Sequence, residues 1–261
     1  MAGKLKDKVA IVTGAASGIG KAIALAFADE GADIAVIDLQ VEKGQGVVKS
    51  IKDKGRKAIF IKANVSESQE VAMMITEVVR QLGGIDIMVN NAAVIRQASL
   101  LDTTDELWDS ILKNNLRSVF LCSRESARVM IKQGRGGNII NISSIHAILS
   151  EPQAGAYTAA KGGIEAFSRT IATELAPHKI RANYIRPGAT YTELTIPMYT
   201  EPVKKAIYTR VPMKEIAQPE WIASAVVFLA SDDSRYMTGE GLTIDGGYIM
   251  DGSLPGAEYW K

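Results

Sequence analysis

The sequence predicts an α/β protein: a doubly wound, parallel, seven-stranded sheet with helices on both faces. Three observations carry that expectation. Short Val- and Ile-rich runs recur, apolar at successive positions, as strands covered on both faces read. Longer amphipathic runs alternate with them, which is the order of strand–helix–strand crossovers. A glycine-rich turn, "TGAASGIG", follows the first apolar run directly.

The elements follow in order. The first strand lies in "KVAIVTG", and "GKAIALAFADEG" is a helical pattern closed by Gly31. "DIAVIDL" is the second strand, residues Val41–Lys54 a helix and "KAIFIKANV" the third strand. "SESQEVAMMITEVVRQLG" is helical, "IDIMVNN" is a strand, and a long helix runs from about Thr104 to Met130. "GNIINISS" is a strand, and the next helix spans about Ala154 to Leu175. "IRANYIRPG", a helix near Pro219–Ala230 and "GLTIDGG" complete the pattern. No linker or shift of composition divides residues 1–261, so one domain is expected. The segment from about 189 to 219, rich in Thr, Pro and Tyr, leaves a strand end and reads as a lid over a site.

The bulk numbers exclude several classes. An apolar fraction of 47% supports a full core. Formal net charge is +1, with acids and bases interspersed, so no nucleic-acid footprint is present. Cys122 is the only cysteine, which forbids an internal disulfide and fits a reducing compartment. Its neighbours, "VFLCSR", read as a buried helix face. The N-terminus reads as a first strand rather than a signal peptide, and no apolar run reaches membrane-span length. A soluble cytoplasmic protein without metal, membrane or nucleic-acid partner is expected.

Gly14 allows the tight turn, and Gly18 and Gly20 let a ligand and the sheet approach closely. With Ser17 and Ile19 they surround exposed N–H groups at a helix start, which suit a pyrophosphate. Asp38 ends the second strand, twenty residues after Gly18. A carboxylate there accepts from an adenine-ribose diol and repels a 2′-phosphate. No Arg or Lys stands in the turn or directly after Asp38, so the expected cofactor is NAD rather than NADP.

"AYTAAKGG" places Tyr157 and Lys161 four residues apart, on one helix face among small neighbours. A hydride transfer at a carbinol carbon needs a proton acceptor at its oxygen. Free tyrosine, pKa ~10, is a weak base candidate at neutral pH. An ammonium nearby lowers such a pKa by roughly 1–3 units, which is the role expected of Lys161.

Taken together, "TGAASGIG", "NNAA", an Asn in "KNNLRSVF", "NISS", "YTAAK", "RPG" and "SDDSRYMTGEGLTIDGG" resemble the short-chain dehydrogenase/reductase family over nearly the whole chain. The resemblance implies a Rossmann-type sheet, a nicotinamide cofactor and a homotetramer. It maps the family's catalytic positions onto Asn115, Ser144, Tyr157 and Lys161. Lys161 would also hold the nicotinamide ribose, and Asn115 a water in the proton path. Asn64 and Val65 fall where the family contacts adenine, Asn91 beside the adenosine ribose, and Thr190 and Thr192 near the nicotinamide amide. Two residues depart from the family pattern: Asn64 stands for the commoner Asp, and Ala93 for the last Gly of "NNAG".

Candidate substrate residues come from position: Arg96, His146, Gln153 and Tyr191, joining Ser144 and Tyr157, with Glu151 and Glu193 nearby. His178 reads as a surface turn residue. A lining of His, Arg, Glu and Gln suits a polyhydroxylated molecule better than a steroid or long acyl chain. "VIRQ" is similar to the family's sugar-acid dehydrogenases, while "SSIH" and the tail are similar to its glucose dehydrogenases. The expectation therefore stops at a sugar, sugar acid or polyol. The tail, about residues 248–261, carries Tyr259 and Trp260 and is expected to pack on a neighbouring subunit. Two rival functions remain: a 3-oxoacyl reductase of lipid synthesis, usually paired with NADP, and a dinucleotide-binding sensor or scaffold without catalysis.

Overall fold

The computed structural model describes residues 3–251. Its strands are β1 (Val9–Thr13), β2 (Asp33–Asp38), β3 (Ala58–Lys62), β4 (Ile87–Asn90), β5 (Gly137–Ile142), β6 (Ile180–Pro187) and β7 (Gly241–Ile244). They form one seven-stranded sheet in the order β3-β2-β1-β4-β5-β6-β7. Every neighbouring pair is parallel. The chain winds outward from β1 to β3, then returns to β4 and winds the other way. That reversal opens a crevice at the carboxyl ends of β1 and β4, where open α/β sheets bind ligands.

Alternation along each strand sorts the core onto two faces. Ala10, Val12, Ile34, Val36, Ile87 and Val89 pack beneath α1 (Gly18–Asp29), α2 (Val41–Asp53) and α8 (Pro219–Ala230). The intervening Val9, Ile11, Ala35, Ile37 and Met88 pack beneath α3 (Ser68–Leu82), α5 (Ser118–Gln133) and α6 (Gly155–Leu175). Both faces are covered, so the strands carry no polar side, as their sequence indicated. Cys122 sits wholly inside the second face, where burial pushes its thiol up to about 12 and leaves it inert.

Two expected elements differ in detail. The long helix from Thr104 is α4 (Asp105–Leu112), a π-helical turn over Lys113–Arg117, and then α5. Thr104 caps its start by accepting from Leu107 N at 3.2 Å. At the turn, Asn115 Nδ2 donates to Ile111 O at 2.9 Å, so a side chain occupies a carbonyl of the preceding turn. The lid segment is also more regular than its sequence indicates. It contains a short helical turn at Ile196–Met198 and α7 (Glu201–Arg210). No residue of α7 is buried, so it lacks the apolar stripe that marks a helix in sequence. Of the expected tail, Tyr248–Met250 form a turn, and Tyr259 and Trp260 lie outside the described residues.

Candidate active site

The site assembles at the carboxyl ends of β1, β2, β4, β5 and β6 from segments far apart in sequence. The glycine turn enters α1 with an uncapped start: Ser17 makes no side-chain capping bond. The first-turn N–H groups are thus left to a ligand. Gly20 packs so closely that a Cβ would stand 2.2 Å from Gly14 O. Gly18 has φ +52°, and a Cβ there would meet Thr192 at 3.2 Å. The lid therefore lies directly over the phosphate turn.

Asp38 closes β2 and is tied into that turn. Its Oδ2 accepts from Ala16 N and its Oδ1 from Gln40 N, both at 2.9 Å. The carboxylate so fixed carries lone pairs for a further donor such as a ribose hydroxyl. Asn91 joins β4 to the turn: its Nδ2 donates to Thr13 O at 2.9 Å and to Gly14 O at 3.2 Å. Just past β3, Asn64 Oδ1 accepts from Ser66 N and Ser66 Oγ, while Asn64 N donates to Glu70 Oε2. An adenine contact from Asn64 would fall to its amide nitrogen. Val65 is buried beside it, and Ile19 is half-buried in the turn. Uncapped N–H groups, glycines that a Cβ would obstruct and a fixed carboxylate together fit a dinucleotide.

The catalytic candidates converge on one point. α6 presents Tyr157, half-buried, and Lys161, buried, one turn apart. Ser144, just past the end of β5, lies close enough to Tyr157 to favour its charged form. Lys161 Nζ stands 5.5 Å from the centre of the Tyr157 ring and donates to Ile142 O at 2.7 Å. Here the electrostatics differ from expectation. Burial pushes the Tyr157 phenol up to about 12, with Ser144 opposing it and Tyr199 adding to it. Burial also brings Lys161 down to about 8. Burial disfavours the charged form of each group. The Tyr157 shift thus runs opposite to the lowering expected from Lys161.

The side chain of Asn115 is engaged by the loop after β4. It accepts from Val94 N at 3.2 Å and donates to Val94 O at 3.0 Å. It clamps the loop after β4 to the π-helical turn, and that loop contains Ala93.

The lid residues are occupied locally. Thr190 is buried, and its hydroxyl donates to Gly188 O at 3.0 Å. Thr192 Oγ1 shares a hydrogen bond with Thr195 Oγ1 at 2.9 Å. Tyr191 meets Tyr208 by a hydroxyl–hydroxyl contact of 3.2 Å and Tyr199 edge to face at 5.7 Å. Tyr199, which the sequence reading missed, donates to Thr190 O at 3.3 Å, accepts from Thr190 N at 3.1 Å and interacts with Tyr157. The only signal for it in sequence was its place in the lid.

The substrate candidates divide. His146 pairs with Glu151 at 3.2 Å, directly beyond Ser144, whose Oγ accepts from His146 N. Burial lowers the imidazole pKa, and Glu151 opposes that shift. Gln153 is exposed at φ +66°, and it is its carbonyl that accepts from Ala98 N at 2.8 Å. Arg96 is exposed, and its guanidinium turns back onto Ile95 O at 3.2 Å. Glu193 pairs with Lys43 of α2. His178 is exposed in the turn after α6, as its sequence indicated. A cavity of about 640 Å³ opens at the opposite, amino ends of the strands, lined by residues such as Lys8, Asp86, Arg135 and Arg181. The chemistry described above lies at the other end of the sheet.

Comparison with known proteins agrees with this geometry. The family model described as enoyl-(acyl carrier protein) reductase matches residues 14–249. The 3-oxoacyl-[acyl-carrier-protein] reductase FabG of Staphylococcus aureus is 38% identical over 244 residues, 93% of this chain and 98% of the relative. The solved structure of a candidate short-chain alcohol dehydrogenase from Sinorhizobium meliloti superposes with a TM-score of 0.92 at 34% identity, covering 95% of this chain and 98% of that one. A candidate 2-deoxy-D-gluconate 3-dehydrogenase from Agrobacterium tumefaciens, solved with bound NADP, gives 0.89 at 30% identity over 95% and 98%. With a doubly wound parallel sheet, a glycine turn at its switch point and a Ser–Tyr–Lys cluster opposite, the chain belongs to the short-chain dehydrogenase/reductase family of oxidoreductases.

Proposed function

We propose that this oxidoreductase moves hydride between NAD(H) and a secondary alcohol or carbonyl of a small polyhydroxylated molecule: a sugar, sugar acid or polyol. The observation that carries the reading is the convergence of Ser144, Tyr157 and Lys161 at the mouth of the glycine-turn crevice. A bound nicotinamide supplies the hydride chemistry. Tyr157 exchanges the proton at the substrate oxygen, and Ser144, beside it, orients that oxygen by hydrogen bonding. Lys161, held by Ile142 O, keeps a donor in place beside them and grips the nicotinamide ribose. Asn115 holds the loop at Val94 that walls the site.

Two features support NAD. Asp38 presents a fixed carboxylate at the ribose position, and Ser17 stands in the turn where a cation would favour a 2′-phosphate. The His146–Glu151 pair supports a hydroxyl-rich substrate, since both offer hydrogen bonds at the mouth beside Ser144. The likeness to the S. aureus reductase favours a second reading, reduction of a 3-oxoacyl thioester with NADP. Assembly as a homotetramer is part of the proposal. Trp108, Phe120 and Ile131, on α4 and α5, expose apolar surface that a second copy would cover. The cytoplasm is the proposed compartment; no helix among the described residues is long and apolar enough to cross a membrane.

The test is reduced-nicotinamide absorbance with a panel of sugars, aldonates, polyols and 3-oxoacyl thioesters, using NAD and NADP in parallel. Turnover of a polyol or sugar with NAD is the expected result. Turnover of thioesters alone, with NADP, establishes the second reading. Dinucleotide binding without any turnover establishes a sensor or scaffold.

A further inference from the structure

Three consecutive residues at the end of β5 each touch the face of α6 that carries the chemistry. Ile142 O accepts from Lys161 Nζ at 2.7 Å, and Ser144 lies beside Tyr157. Between them, Ser143 Oγ donates to Glu165 Oε1 at 2.9 Å. Glu165 lies one helical turn past Lys161, as Lys161 lies one turn past Tyr157, so the three form a single stripe. Glu165 is 3% exposed. Its charge is met by Arg186 in a two-pronged pair, Nε to Oε1 at 2.7 Å and Nη2 to Oε2 at 2.6 Å. Arg186 stands at the end of β6, directly before Pro187–Gly188, where the lid begins. Its guanidinium lies over the Tyr184 ring at 5.0 Å, and the Tyr184 hydroxyl accepts from both Arg186 and Arg169.

Holding α6 onto the sheet does not require a charge pair. Removing two ions from water is costly, and well-packed apolar residues usually stabilise as well. What the pair adds is direction: a planar fork accepts one carboxylate geometry, while apolar contacts let a helix slide by tenths of an ångström. The pair sits at the one place where β5, β6 and α6 meet under the reacting groups.

We propose that Glu165 and Arg186, linked through Ser143, are positioning residues: they lock α6 to the ends of β5 and β6 and so set Lys161 and Ser144 against the nicotinamide end of the cofactor. This rests on the reading of Lys161 as the residue that grips the nicotinamide ribose.

The experiment compares NADH with ADP, which fills the adenosine half alone, by fluorescence and calorimetric titration of the full chain. Melting temperature and kcat follow in parallel. The double variant Glu165→Leu/Arg186→Met removes both charges together. Its melting temperature should stay near the parent's, while the NADH-to-ADP affinity ratio falls about 10-fold and kcat falls about 10–100-fold, the scale of a small misplacement. Ser143→Ala keeps the pair, cuts its link to β5 and serves if the double variant does not fold. It should lower the ratio and kcat severalfold at an unchanged melting temperature. Arg186→Lys, which retains charge without the fork, should keep the parent's melting temperature but not its kcat.

A folded double variant, or Ser143→Ala, with the parent's ratio and kcat overturns the proposal. Lys161→Met is the control and should lower the ratio at least as far. If Lys161→Met leaves the ratio unchanged, the role of Lys161 itself fails, and the proposal falls with it for that separate reason.

Discussion

Lys161 Nζ stands 5.5 Å from the centre of the Tyr157 ring, yet its hydrogen bond goes to the Ile142 carbonyl. The phenol and the ammonium are neighbours in different surroundings: Ser144 lies beside the first, and the backbone of β5 holds the second. Burial pulls both toward their neutral forms, to about 12 for Tyr157 and about 8 for Lys161. Under the proposed mechanism, the proton chemistry starts from this pair.

Tyr157→Phe removes the exchanging hydroxyl and little else. Turnover should fall by about 10³-fold or more, on the scale of a lost general acid–base group. NADH affinity should stay within about 2-fold. Titration of NADH fluorescence beside steady-state kinetics checks both, and a variant that retains turnover would remove Tyr157 from the mechanism.

Lys161→Met should stabilise the fold while destroying activity. The folded pKa of Lys161 is about 8 against an ordinary 10.5, so the unfolded chain binds the extra proton between those values. Stability therefore rises with pH through that window, and the penalty is complete below about pH 8. Removing the ammonium should add on the order of 2 kcal/mol near neutral pH and flatten that rise. Denaturant melts at several pH values read it directly. The opposite slope, or a variant less stable than the parent at neutral pH, would mean that the Ile142 hydrogen bond outweighs burial.

Asp38→Ala should weaken NAD about 10-fold, the size of one charge-assisted hydrogen bond. NADP should lose less, or gain, because the charge repelling a 2′-phosphate is gone. Part of the loss would come from the turn itself, since Ala16 N and Gln40 N lose their acceptor. Paired titrations with both cofactors separate the effects; equal losses would count against NAD as the natural partner.

Gly20→Ala should abolish dinucleotide binding and lower the melting temperature. The new Cβ would lie 2.2 Å from Gly14 O, a backbone atom that cannot yield without moving the turn. A melting temperature and NADH affinity equal to the parent's would show that the turn opens more freely than its packing implies.

Much of this was legible in the sequence because it is written in local pattern. Apolar runs such as "VAIVT" and "DIAVID" became strands buried on both faces. The glycine turn landed at the switch point because turn, strand and helix are contiguous there. Tyr157 and Lys161 shared a face because helical periodicity alone puts them on one. Where pattern was absent the reading thinned. α7 buries nothing, so it read as irregular lid. Arg96 and Gln153 were assigned by proximity in sequence to the motifs; both are exposed, and the Arg96 guanidinium bonds its neighbour Ile95.

The order of apolar and amphipathic runs determined the sheet, and the glycine turn with Asp38 determined where a dinucleotide would lie. Only the tertiary structure decided what surrounds the reactive groups. It set Asn115 as a clamp on Val94, brought Tyr199 to Tyr157, and closed the Glu165–Arg186 pair beneath Lys161. The physical reason is that burial and long-range hydrogen bonds are properties of packed elements, and a residue's protonation depends on water that the fold, not its neighbours in sequence, takes away.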